Sequence, residues 1–133
     1  MRLVPDEALA AVAIDTEAEG EPYPVKVGVA EVIRNRMAQK FYSDGTVAGT
    51  IWRKSQFSAF SLLPNANNII RAFQIDDQAP AAMDCVKAWA AAQSGSASVG
   101  GALLFHSPTP VRPPWATDDK FICQLGSIRF YRA

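Results

Sequence analysis

Between Thr16 and Pro22 the chain reads Thr-Glu-Ala-Glu-Gly-Glu-Pro, and no helix runs through such a stretch. Gly20 weakens a helix and Pro22 has no amide hydrogen to give, so one helix must end here and the next must start beyond. Ahead of the break, Leu9, Val12, Ala13 and Thr16 recur at the spacing of one helical face. Pro5, Asp6 and Glu7 suit that helix's N-terminus. Glu17 therefore falls in its last turn. The partial negative charge of a helix C-terminus, and the neighbouring carboxylates of Asp15, Glu19 and Glu21, both favour a protonated Glu17. A general acid working near neutral pH needs such a carboxyl. The simpler alternative is a solvated acidic helix end, since charge clusters usually face water.

Beyond the break, Val25, Val29, Val32, Ile33 and Met37 form a second apolar stripe, which places Lys26, Arg34, Arg36 and Lys40 on other faces and leaves Asn35 a polar surface residue. Ser43-Asp44-Gly45 is a turn, and Thr46 caps a short helix that carries Ala48, Ile51 and Trp52 and ends near Lys54. Residues Gln56 to Ser61 alternate polar with apolar or small, the period of a half-buried strand showing Gln56 and Ser58 on its polar face. Pro64 to Asn68 is a polar loop. From Pro80 to Gln93 a helix is predicted with Ala82, Val86, Trp89 and Ala90 on one face, stopped by Gly95. Ser94 to Gly101 reads as a small, flexible connection. Ala102 to His106 is a short strand, Pro108 to Pro114 an extended loop ending at Trp115, and Phe121 to Tyr131 a strand pair turning near Gly126. Helices first, then short strands, make an α+β chain in which helix dominates.

At 133 residues, 49% of them hydrophobic, residues 1–133 are expected to form one domain with a substantial core. Thirteen basic and thirteen acidic residues cancel, which argues against nucleic acid or an anionic membrane as a charge-held partner. No apolar run approaches a membrane span, and Met1 to Pro5 is too short and mixed for a signal peptide, so the expected location is the cytoplasm of the producing cell, without stable membrane insertion. Cys85 and Cys123 are too few for a disulfide framework and are read as reduced, mostly buried thiols. With one histidine and no Cys-x-x-Cys or His-x-x-x-His spacing, no zinc site is expected and no cofactor is called for, although a calcium at the Asp76-Asp77 turn stays open.

Three polar groups on separate elements are candidates to converge: Glu17, the Gln56-Phe57-Ser58 strand and His106. A histidine beside an apolar strand is more often a hydrogen-bonded structural imidazole than a catalyst. Trp52, Phe60, Trp115 and Tyr131 are more often core than platform, yet aromatic faces among amides and hydroxyls also describe a sugar groove.

The ordered set Thr16 to Pro22, Val29 to Arg36, Gln56-Phe57-Ser58, Gly101 to His106 and Ile128 to Tyr131 resembles the cell wall hydrolase family of the spore cortex-lytic enzyme SleB. The set covers nearly the whole chain, from Leu9 to Tyr131; its specificity lies in the order, not in any single block. The resemblance implies a lysozyme-like α+β fold, mainly helical with a small antiparallel sheet, and lytic transglycosylase activity on peptidoglycan glycan strands. It implies Glu17 as the catalytic acid and base, with Gln56, Ser58, His106, Trp115, Tyr131 and Glu21 as substrate-binding residues. Two departures stand out: Glu19 replaces an arginine usual in the family's acidic motif, and no exporting signal or wall-binding domain accompanies the motifs. A bare catalytic domain of this kind resembles a phage endolysin or virion-associated lysin, expected to act as a monomer and to be freed by a holin-type partner. The alternatives are a muramidase, in which Glu21 or another acid activates water, and a non-catalytic peptidoglycan-binding module. For Glu17→Gln, relief of like-charge crowding predicts unchanged or slightly raised stability.

Overall fold

The computed structural model describes residues 5–53, 80–108 and 112–133. The sequence-predicted strand at Gln56 to Ser61, with Gln56 and Ser58, lies outside them, as do the Pro64 to Asn68 loop and the Asp76-Asp77 turn.

Helix α1 spans Pro5–Glu17 and α2 spans Tyr23–Gln39, with the break between them where Gly20 takes a positive φ of 76°. Helix α1 is not amphipathic in its surroundings. From Ala8 to Ile14 every residue is buried, because α2, the short α3 (Val47–Ile51) and α4 (Pro80–Gln93) pack around it. Ala10, Ala11 and Ala13 on α1, and Ala88 and Ala92 on α4, are fully buried small residues that let these helices approach closely. The Thr46 hydroxyl caps α3 by accepting from the Gly49 amide at 2.9 Å. Helix α4 has the bounds predicted from sequence, but its buried face is Ala82, Cys85, Ala88, Trp89 and Ala92; Ala90 is exposed and Val86 only half-buried.

Strands β1 (Leu104–His106), β2 (Phe121–Leu125) and β3 (Ile128–Tyr131) form an antiparallel sheet in the order β1-β3-β2, and a single 3₁₀ turn, Asp118–Lys120, precedes β2. Phe105 pairs with Phe130 and His106 with Arg129, so alternation sends Phe105, Phe130 and Ile128 toward the helices and His106, Arg129 and Tyr131 to the other face. Phe130 and Ile128 join the helical core. The α+β class expected from sequence, mainly helical with a small antiparallel sheet, is the fold observed.

Three polar residues of α2 lie inside the protein. Lys26 and Arg36, expected on other faces than the apolar stripe, are 8% and 3% exposed, and Glu31 is fully buried. The Lys26 ammonium donates to the carbonyls of Ala18 at 3.2 Å and Glu21 at 2.7 Å, serving acceptors left at the end of α1. Glu31 accepts from the Ser96 hydroxyl (2.6 Å), the Ser98 hydroxyl (2.8 Å) and the Val99 amide (2.9 Å). Arg34 donates to the carbonyls of Ala92, at 2.8 Å, and Ser96. Asn35 donates to those of Gly100 and Ala102, both at 3.0 Å. The connection from Ser94 to Gly101 is therefore pinned to α2 along its length, not the flexible linker predicted, and Asn35 is a fastening and not a surface residue.

Candidate active site

A cleft of about 520 Å³ opens where the end of α2 meets β1, lined by Arg36, Phe41 and Tyr42 from the helical side and by Leu104, Phe105 and His106 from the strand, with Pro113, Trp115, Lys120 and Ala133 completing the wall. Rings and nitrogen-bearing side chains share this surface. His106 stacks on Tyr131 with ring centroids 5.5 Å apart, and Trp115 meets both rings edge-on at 5.7 and 5.5 Å. Since a carbonyl only accepts, the contact of His106 Nδ1 with the Ser107 oxygen at 3.0 Å assigns the proton to Nδ1 in the neutral ring. Nε2 then accepts from the Tyr131 hydroxyl at 3.2 Å.

Tyr131 itself is fully buried. Its hydroxyl serves His106 and also interacts with Arg112, so it shapes the cleft from below instead of meeting a sugar as the sequence suggested. Trp115 and His106 are half-buried and reach the cleft directly.

Glu17 is the last residue of α1 and is half-buried. Like charges are not its whole environment. Glu17 acts electrostatically on Arg36, a cleft-lining cation expected from sequence on another face of α2 than its apolar stripe. Burial pushes the Arg36 guanidinium down to about 10, while Glu17 and Tyr42 act in the opposite sense, so Arg36 stays charged at neutral pH. Arg36 is held by its Nε donating to the Leu103 carbonyl at 2.7 Å, and its guanidinium lies over the Phe41 ring, 5.9 Å from the centroid. A signal for its burial was present: Val25, Val29, Val32 and Arg36 follow the same helical stripe.

Glu21 is placed differently. Its carboxylate accepts from the Ser127 hydroxyl and faces the Ser127 amide at 3.5 Å, fastening the break after α1 to the β2–β3 turn. Gly126 in that turn has φ 55°, and a side chain there would begin 2.5 Å from the Glu21 carboxylate. As placed, Glu21 is a structural ligand of this turn and is not among the lining residues of the cleft. Among the described residues, no three His, Cys, Asp or Glu side chains gather in a group that could hold a metal ion.

Residues 20–131 match the model of a family described as cell wall hydrolase. The chain belongs to the cell wall hydrolase family. The match begins just past Glu17. A spore cortex-lytic enzyme from Oceanobacillus iheyensis is 31% identical over 130 residues, which covers 94% of this chain; the chain spans 41% of that protein's length. Among solved structures, the catalytic domain of the germination-specific lytic transglycosylase SleB from Bacillus anthracis matches with a TM-score of 0.72 and 27% identity, covering 98% of this chain and 96% of that one. The catalytic domain of SleB from Bacillus cereus matches with a TM-score of 0.76 and 25% identity over 99% of this chain and 93% of that one. This cell wall hydrolase thus has the lysozyme-like fold of the SleB catalytic domain.

Proposed function

We propose that this cell wall hydrolase is a peptidoglycan lytic transglycosylase that cleaves the β-1,4 bond between N-acetylmuramic acid and N-acetylglucosamine and leaves 1,6-anhydromuramyl ends. The observation that carries the reading is the match, along almost the whole chain, to the catalytic domain of a lytic transglycosylase, supported by Glu17 at the end of α1 acting electrostatically on Arg36, which lines the cleft. In this reaction one carboxyl suffices. Glu17 protonates the glycosidic oxygen as the C1–O bond breaks, the 2-acetamido group stabilises the oxocarbenium-like centre, and the Glu17 carboxylate takes the proton of the muramyl C6 hydroxyl as that oxygen closes on C1. No water is consumed. Trp115 and His106 are proposed to pack against the sugars from the cleft wall, and Gln56 and Ser58 to orient acetamido and hydroxyl groups. A hydrolytic muramidase needs a second carboxyl roughly 5 to 9 Å from the first. The engagement of Glu21 with Ser127 argues against that residue in the role.

Mass spectra of purified sacculi digested by the protein test the chemistry: anhydromuramyl ends are expected, and reducing muramyl ends in their place would overturn it. Sacculus binding without release of soluble fragments would instead favour a non-catalytic module. Glu17→Gln keeps the side chain's shape but removes the transferable proton, and should lower turnover about 10² to 10⁴-fold while the protein still folds. We extend the reading to a phage lysin made in the cytoplasm and released by a holin-type partner. No helix among the described residues is long and apolar enough to cross a membrane. Expression with and without a holin should lyse cells only in the first case.

A further inference from the structure

Helix α2 is closed by the two residues that follow it. Lys40 is left-handed, with φ 51°, and its amide donates to the Met37 carbonyl at 3.3 Å, while the Phe41 amide donates to the Arg36 carbonyl at 3.0 Å. These bonds complete a Schellman closure, and the Phe41 ring under the Arg36 guanidinium adds the side-chain contact that accompanies it. The turn into α3 has its own left-handed residue, Gly45 with φ 93°, whose amide donates to the Ser43 hydroxyl at 3.0 Å. Tyr42 stands between these two devices and belongs to neither, yet it too is left-handed, with φ 47°. A Cβ bearing an aromatic ring makes that conformation unfavourable. Such residues persist where their surroundings hold them, and they cluster at binding sites.

What the conformation delivers is a ring on the cleft. Among the described residues Tyr42 is the most exposed large apolar side chain, at 48%, and it lines the helical side of the cleft whose other wall carries His106 and Trp115. The ring is held there before any ligand arrives: Phe41 meets it with centroids 4.6 Å apart and planes at 62°, and the Arg53 guanidinium stands over it, 5.4 Å from the centroid. A ring already in place loses little freedom on binding. Its apolar body and hydroxyl suit a pyranose, which is apolar on its CH face and hydroxylated at its rim. We propose that Tyr42 is a substrate-binding residue, whose ring takes a sugar of the glycan strand at the α2 end of the cleft, and that the left-handed backbone at Tyr42 serves to present it there. This rests on peptidoglycan glycan as the substrate and gives the cleft an aromatic contact on its helical wall, besides Trp115 on the other.

The test pairs affinity with stability in Tyr42→Gly, Tyr42→Asn and Tyr42→Phe. Glycine removes the ring and takes a positive φ without strain, so the thermal midpoint should stay level or rise. In the same variant KM for soluble, peptide-free glycan strands should rise about tenfold, with kcat little changed. Asparagine also tolerates the left-handed region but keeps a Cβ, and should raise KM as glycine does, which separates loss of the ring from a loosened backbone. Phenylalanine keeps the ring and should keep most of the affinity. A wild-type KM in Tyr42→Gly would overturn the proposal. So would a midpoint lowered by several degrees in both the glycine and asparagine variants, since the ring would then be packing and not presentation. A KM raised on intact sacculi but not on peptide-free strands would place the ring against the peptide stem and overturn it as well. Failure of the underlying reading looks different: the wild type would leave reducing muramyl ends or release no fragments, and Tyr42→Gly should in either case still cosediment with sacculi more weakly than the wild type.

Discussion

Glu31 shows how much one side chain on α2 can organise. Burial pushes its carboxyl up, but the Ser96 hydroxyl, the Val99 amide and the Ser98 hydroxyl together outweigh burial and hold it below its ordinary value of 4.5. A carboxyl with a depressed folded-state value contributes stability that is fully present above the unfolded value and is lost as pH falls through the folded one. Thermal unfolding followed from pH 7 downward should therefore show a loss of midpoint beginning below about pH 4.5, smaller in Glu31→Gln than in the wild type. At pH 7 the same variant should be less stable by about 1 to 3 kcal/mol, because an amide turns one acceptor into a donor facing donors. The same carboxylate adds to burial in raising the half-buried Cys123 thiol, which makes that cysteine a poor nucleophile.

The end of helix α1 is a problem solved by another helix. Its last carbonyls have no intrahelical donor, Gly20 turns the chain away, and no basic residue stands in its last turn. Lys26, one turn into α2, brings an ammonium to the Ala18 and Glu21 carbonyls and places a cation at the negative end of the α1 dipole. Arg34 does the same for α4 through the Ala92 carbonyl. Lys26→Met should keep the packing of the aliphatic stem and lose both charge-assisted bonds, at a cost of about 1 to 3 kcal/mol measurable by urea unfolding. A variant as stable as the wild type would show that the ammonium's desolvation cancels its bonds. Since Glu17 lies in the turn these bonds close, Lys26→Met should also lower activity at temperatures where the protein is still folded.

The helical layer and the sheet meet through a single absence of side chain. A Cβ at Gly28 on α2 would come within 2.8 Å of Phe130 Cζ, 3.1 Å of Val99 Cγ1 and 3.2 Å of Leu125 Cδ1, so α2 sits on the sheet at a distance only glycine permits. Helix propensity favours alanine over glycine by up to about 1 kcal/mol, and overpacking opposes it by about 1 to 3 kcal/mol. Phe130 is fully buried and has no room to yield, so overpacking should win. Gly28→Ala should lower the thermal midpoint, and because Phe130 is on β3, one residue before Tyr131, it should also disturb the stack of His106 on Tyr131 at the cleft. Near-UV circular dichroism of that aromatic group would report the change; a raised midpoint would show that propensity wins.

Much of this architecture was legible from local rules, since a cap, a proline or a positive-φ glycine acts through its immediate neighbours. The bounds of α4, the Thr46 cap, the break at Gly20 and Pro22 and the hairpin at Gly126 all follow from such rules. The family resemblance likewise lay in the order of short motifs, and Glu17 at the end of α1 in the period of the residues before it. The fate of the polar side chains was not legible in this way. Glu31 and Arg36 share helical stripes with valines and isoleucines, and only partners far along the chain make their burial tolerable: Ser96, Ser98 and Val99 for Glu31, Leu103 for Arg36. Glu21 looked like part of the acidic site until Ser127 met it from the other end of the sequence, and Tyr131 like a sugar contact until Trp115 and Phe121 covered it. Burial is a property of what packs against a residue, and a charge can be buried only where the fold delivers a partner for it.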